Sequence, residues 1–239
     1  MNRIPTGSRI LDNLLEGGYE YDVITTVYGP AGSGKTNLCL LAALNIARQH
    51  KKVIYVDTEN NFSVERFRQV CSAIKQDYLK MLQNIMVLQP ATFEEQKKSF
   101  EKLKETVNEK IGIIIVDSIA MLYRLEMGKE NDIYEINRDL GRQVAYLTET
   151  ARKKHIPVLL TNQVYADFED KSKINLVGGD LLKYGSKCLI ELQITPANNR
   201  RAIIRKHRSI KSNREITFQI VEGGIIGTRE EKKFSLFSK

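Results

Sequence analysis

The run Gly29-Pro30-Ala31-Gly32-Ser33-Gly34-Lys35-Thr36 fits G-x-x-x-x-G-K-[ST], the spelling of a loop that wraps phosphate. Glycines at 29, 32 and 34 let the backbone fold tightly, so that its N–H groups face anionic oxygens. Lys35 brings a point charge to the terminal phosphates, and Thr36 a hydroxyl for Mg²⁺. A helix that starts here aims its positive end at the same anion. With Asn37, which follows directly, these residues form the expected cofactor-binding set.

Three further positions can complete such a site. Asp117 ends the apolar run "IIIVDS". A carboxylate there is costly unless it is paired or near a cation, so beside a phosphate loop it is expected to hold Mg²⁺ through water. A strand-end aspartate is also a common turn starter. "YVDTENNF" puts Asp57 and Glu59 at the end of another apolar run. Glu59 there can polarise an attacking water, or be a solvated loop acid. "TNQV" places Gln163 at a third run's end, where an amide can sense a terminal phosphate, orient water, or do neither.

These residues need a scaffold that brings several strand ends together. "DVITTVYG", "KKVIYVDT", "NIMVLQ", "IGIIIVDS" and "IPVLLTNQ" read as strands, several of them continuously apolar, as in parallel strands buried on both faces. Between them lie helical runs: "KTNLCLLAALNIARQH", "SVERFRQVCSAIK" with Ser63 as N-cap, and "TFEEQKKSFEKLKETVNEK" with Thr92 and Glu95 as a capping box. "DIYEINRDLGRQVAYLTETARKKH" is a fourth helix. After Gly178 the pattern becomes "KCLIELQI", "RAIIRKHR" and "EITFQIV", three strands joined by short turns. The expected fold is α/β, a mostly parallel central sheet with helices on both faces and an antiparallel C-terminal extension.

Composition agrees with one large domain. The chain has 239 residues, and Lys+Arg exceeds Asp+Glu by 37 − 29 = 8, which mildly favours an anionic partner. No apolar run approaches the ~20 residues of a membrane helix, and the N-terminus lacks a signal-peptide core. A cytoplasmic location and no membrane partner are expected. Cys39, Cys71 and Cys188 have neither disulfide nor zinc spacing and read as small buried hydrophobes.

"PTGSRILDNLLEGG", "GPAGSGKTNL", "YVDTE", "IIIVDS" and "LLTNQV" occur in the order and spacing of the RecA/RadA recombinase ATPase core. The chain resembles that family over nearly its whole length, and within it the short archaeal paralogues of RadA. The resemblance implies a RecA-type P-loop fold over residues 1–239 as a single ATPase domain, without the N-terminal helix–hairpin–helix domain of the longer members. It implies ATP and Mg²⁺ as cofactors, with Thr36 and Asp117 at the metal. Lys35, Glu59 and Gln163 match the catalytic lysine, glutamate and phosphate-sensing glutamine, and Arg66 matches an arginine that packs on adenine. "YRLEMGKEND" matches a first DNA-binding loop. "VYADFEDKSKINLVGG" matches a second, in which Tyr165 and Phe168 can stack on bases or anchor the loop. Implied partners are DNA, a RadA-type recombinase and a Holliday-junction resolvase. "DTENNF" stands where the family has "DTEGTF", and no Phe has Ala three positions on, as the family's assembly motif requires. Weak or absent hydrolysis is expected, in an accessory protein of homologous recombination and repair.

One stretch fits several roles. "RRAIIRKHRSIKSNR" holds seven Lys or Arg, one His and no acid. If it is a strand, Lys206 and Arg208 share one face, and Arg205 and His207 the other. Lys-x-Arg here resembles KaiC-like ATPases, in which such a pair approaches the nucleotide of an adjacent subunit. Arg200, Arg201, Arg205, Lys211 and Arg214 are candidate DNA contacts. A solvated edge strand guarded by charge is the plain alternative. A nucleotide-gated adaptor, or a ring-forming signalling ATPase, is the rival to the DNA-binding reading.

Overall fold

The structure is a computed structural model that describes residues 2–129, 132–166 and 174–228, with the backbone alone for residues 104, 165, 166 and 174–176. The chain opens with β1 (Arg3–Ile4), α1 (Arg9–Leu14), β2 (Tyr19–Glu20) and β3 (Ile24–Tyr28). Then come α2 (Lys35–Arg48), β4 (Lys52–Asp57), α3 (Val64–Ala73), α4 (Tyr78–Leu82), β5 (Ile85–Leu88), α5 (Phe93–Thr106) and β6 (Ile111–Asp117). Next are α6 (Met121–Met127), α7 (Ile133–Lys154), β7 (Val158–Asn162), β8 (Val164–Ala166), β9 (Ile174–Leu176) and α8 (Gly179–Gly185). The antiparallel end is β10 (Cys188–Ile194), β11 (Arg200–Lys206), β12 (Glu215–Val221) and β13 (Gly224–Gly227).

Nine strands form the central sheet in the order β13-β12-β11-β10-β3-β7-β6-β4-β5. From β10 to β5 all neighbours are parallel, and from β10 to β13 all are antiparallel. The expected mostly parallel sheet with an antiparallel extension is the observed one. Continuous apolar spelling in β6 has a direct cause. Ile113 and Ile115 face the layer of α2 and α3, while Ile114 and Val116 face the layer of α5 and α7. Both faces are dry, so both parities must be apolar.

The caps follow the sequence with one shift. Ser63 Oγ accepts from Arg66 N, and Thr92 Oγ1 accepts from Glu95 N. The Glu95 carboxylate returns to Ala91 N, one residue upstream of the backbone site that a reciprocal box uses. The segment matched to a first DNA-binding loop begins as a helix. Its start lies in α6, where Tyr123 is buried and donates to Asn137 Oδ1 at 2.7 Å. Glu130 and Asn131 lie outside the described residues.

The antiparallel extension is part of the main core. Ala202, Ile204 and Phe218 are fully buried in the cluster that holds α2. Phe218→Ala is expected to cost about 3–5 kcal/mol, because a fully buried ring leaves a cavity that neighbours fill only in part. Urea unfolding checks this. A change below ~1 kcal/mol would mean that the extension does not share the core's cooperativity.

Candidate nucleotide site and basic strand

The carboxyl ends of β3, β7, β6 and β4 are adjacent, and each delivers one part of the site. β3 runs into Gly29, β4 into Glu59, β6 ends at Asp117 and β7 leads into Gln163. The chain leaves β3 for β4, yet β7 and β6 lie between them. Such a switch opens a crevice at the strand ends, where ligands sit in open α/β sheets. A cavity of about 450 Å³ occupies it, lined in part by Gly32, Lys35, Thr36, Glu59, Arg66, Asp117 and Gln163. A larger groove, about 690 Å³, lies between α7 and α8 and contains none of these residues.

The phosphate loop is already curled. Lys35 Nζ donates to Gly29 O and Pro30 O, both at 2.9 Å, and Ser33 N donates to Pro30 O at 3.2 Å. Gly34 has φ +103°, and a Cβ there would come within 2.9 Å of Ile220 Cδ1. The left-handed backbone is what favours glycine, since the flexible end of Ile220 can move aside. Burial pushes the Lys35 ammonium below its ordinary pKa, opposed by the charges of Asp117 and Glu59. α3, α5 and α7 are capped by Ser63, Thr92 and Asp132, whereas no side chain caps α2. Ser33 Oγ is buried beside the loop without a partner among the described residues. Open N–H groups, a buried cation and an unpaired hydroxyl fit a polyphosphate.

Asp117 is 2% exposed. Tyr55 Oη donates to its Oδ2 at 2.9 Å, and Thr161 Oγ1 donates to its Oδ1. Burial pushes its pKa up; hydrogen bonds from Thr161, Thr36 and Tyr55 pull it back, and the charge of Glu59 adds to the rise. Among the described residues no cluster of three His, Cys, Asp or Glu can hold a metal by itself. Thr36 and Asp117 are instead the sparse donor set that suits Mg²⁺ shared with phosphate and water.

Glu59 and Gln163 meet. Gln163 Nε2 donates to Glu59 Oε2 at 2.8 Å, Asn61 Nδ2 donates to the same oxygen at 3.2 Å, and Ser118 Oγ donates to Oε1 at 2.7 Å. Asp57 has a different task from Glu59. Its carboxylate accepts from Asn61 N and Phe62 N, each at 3.0 Å, and so shapes the turn that carries Glu59. Asn60 has left-handed backbone, φ 55°, which asparagine tolerates better than most residues. Arg66 donates to Asn37 Oδ1, Gln69 Oε1, Val221 O and Glu222 O at 2.6–3.0 Å. Those bonds tie the guanidinium to α2, α3 and the β12–β13 turn.

Sequence reading missed Tyr55, Thr161, Ser118 and Asn61. Their signal was proximity to the strand ends, with Tyr55 two residues before Asp57 on the same side of β4.

The basic stretch divides. β11 ends at Lys206, so the expected alternation stops there. Lys206 Nζ donates to Lys183 O at 2.6 Å, while Arg208 Nε donates to Glu20 Oε2 at 2.7 Å. Arg208 and Lys206 therefore do not share a face. The buried His207 lies 3.8 Å from Glu20 Oε1, and Arg3 also reaches that carboxylate. Arg205 pairs with Glu191 at 2.6 Å, and Arg214 with Glu16 at 2.9 Å. Arg200 Nε donates to Gly32 O at 3.0 Å, in the phosphate loop. Arg201 lies 3.9 Å from Glu215, and Lys211 is exposed. Phe168 and the Tyr165 side chain lie outside the described residues.

Comparison with known proteins agrees with this geometry. The chain is 39% identical over 231 residues to the DNA repair and recombination protein RadB of Methanobrevibacter smithii, spanning 94% of this chain and 96% of that one. It is 40% identical over 217 residues to the RadB of Methanococcus maripaludis strain C7, spanning 90% and 97%. A crystal structure of the RadB recombinase superposes with a TM-score of 0.81 at 35% identity, covering 95% of this chain and all of that one. The sequence model of the Rad51 family matches residues 1–228, and with the α/β architecture and strand-end site described above this chain belongs to that family.

Proposed function

We propose that this chain binds ATP with Mg²⁺ in the strand-end crevice, binds DNA, and serves homologous recombination and repair as an accessory to a RadA-type recombinase. The contact between Gln163 and Glu59 carries the nucleotide half of this reading. It joins a candidate phosphate sensor to a candidate base inside the cavity that holds Lys35 and Asp117. The recombination half rests on relatives named DNA repair and recombination protein RadB, matched over at least 90% of the chain. A Holliday-junction resolvase is a second partner of the same reading.

Residues 29–37 hold the phosphates, Arg66 offers a stacking face to the base, and Thr36 and Asp117 hold the metal. Bound Mg²⁺ neutralises charge on the phosphate oxygens. Glu59 orients water, but three donors already share its carboxylate, and Gln163 must leave it to reach a phosphate. Both features favour slow turnover. Lys206 and Arg208 meet different partners within the chain, which favours the accessory reading over a ring-forming signalling ATPase.

Lys35→Ala is expected to lower ATP affinity at least tenfold, about 1.4 kcal/mol, as read by calorimetry on a folded variant. Unchanged affinity would remove the nucleotide site.

Glu59→Gln is expected to abolish slow hydrolysis while ATP binding persists. Brisk turnover by this variant would show that another group activates the water.

Arg201 and Lys211 are the cations of the basic stretch least engaged by acids or carbonyls. If they meet DNA phosphates, each alanine variant should lower the salt slope of DNA binding by ~0.7–0.9, almost equally across base sequences. A salt titration with an unchanged slope would take DNA off this strand.

A further inference from the structure

We infer that Arg200 clamps the tip of the phosphate loop and positions it for nucleotide, rather than meeting nucleic acid. The inference rests on the reading of residues 29–37 as a nucleotide site.

The first observation is the tip itself. Gly32 has φ +72°, and a Cβ built there would find nothing within 4 Å. Packing does not confine it. The loop's own bonds hold this peptide at its amide alone, from Ser33 N to Pro30 O, while Lys35 Nζ reaches Gly29 O and Pro30 O. Among the described residues, Arg200 is the side chain outside the loop that hydrogen-bonds its backbone, through Nε to Gly32 O at 3.0 Å.

The second observation is that Arg200 is held ready. Its Nη1 donates to Asn198 O, Asn198 Oδ1 and Asn199 O at 2.7, 2.9 and 3.2 Å. The turn that presents these acceptors is unusual. Ala197 and Asn198 both have left-handed backbone, φ 60° and 56°, and Thr195 N closes the turn on Asn199 O. Gln219 Nε2 then ties Asn199 Oδ1 to β12 at 2.8 Å. A strained non-glycine pair is kept where it aims one guanidinium at one carbonyl.

The consequence follows from peptide planarity. Gly32 C=O and Ser33 N–H belong to one rigid unit, which Arg200 holds at the carbonyl while Pro30 O holds it at the amide. A loop ordered before the ligand arrives loses less freedom on binding. By linkage, whatever the Arg200 contact adds to nucleotide affinity, bound nucleotide returns to that contact.

The test compares Arg200→Ala, Arg200→Lys and Asn198→Gly with Lys35→Ala and Arg201→Ala. Mg-ATP affinity is read by calorimetry, dissociation by stopped flow, and DNA binding by salt titration without nucleotide. Arg200→Ala should weaken Mg-ATP roughly 3–10-fold with a matching rise in dissociation rate, as expected for a charge-assisted contact. Its melting temperature without nucleotide and its DNA salt slope should match wild type. Arg200→Lys should not restore slow dissociation, because one ammonium cannot replace a fork that spans Gly32 and Asn198. Asn198→Gly, which suits the left-handed backbone, should shift dissociation the same way but less. Unchanged Mg-ATP dissociation in Arg200→Ala overturns the clamp, as does a loss of ~0.7–0.9 in its salt slope. If Lys35→Ala is silent too, the nucleotide reading fails with it. If Lys35→Ala alone loses affinity, only the clamp fails.

Discussion

Asp117 loses its water when β6 is sandwiched between two helical layers, and the protein replaces the lost hydrogen bonds from three directions. Tyr55 comes from β4, Thr161 from β7 and Thr36 from α2. Each donor fixes the register of its own element against β6, because a one-residue slip in a strand would turn its hydroxyl to the opposite face. The demands of one buried carboxylate thus align the pieces of the site. Lys35 lies one residue before Thr36, Asp57 two after Tyr55, and Gln163 two after Thr161. A buried acid left with two of these donors would be a local liability, since unpaired polar groups in a dry layer are expensive.

Much of this was legible in the sequence, and the reasons are local. Continuous apolar strands, a G-x-x-x-x-G-K-T loop and capping residues such as Ser63 and Thr92 declare themselves within a few positions. What stayed hidden was partnership across the chain. Arg208 meets Glu20, 188 residues away, and Arg66 meets the β12–β13 turn at Val221 and Glu222. No period announces either contact. The alternation rule placed Lys206 beside Arg208 and failed because the strand stops at Lys206. Asp57 and Glu59 look alike in sequence and diverge in the fold, one shaping a turn and the other facing the cavity.

Charge is similarly misleading when counted along the chain. Seven cations without an acid suggest a bare basic strip, yet Glu191, Glu20 and Glu16 reach Arg205, Arg208 and Arg214 from other elements. Three of the seven cations in that stretch are thereby matched by acids from elsewhere in the fold. Two cations there serve carbonyl oxygens instead, Arg200 at the phosphate loop and Lys206 at the last turn of α8.

The order in which the strands pair bears on how the chain emerges from a ribosome. β3, which launches the phosphate loop, is made within the first thirty residues but sits between β7 and β10. Its first neighbour is finished only at residue 162 and its second only at residue 194. Until then the nascent chain carries a β-rich apolar segment with unpaired edges, and Glu20 waits still longer for Arg208. Such distant pairing slows folding and exposes sticky edges during synthesis. The phosphate loop, among the earliest residues made, is among the last to be held in place.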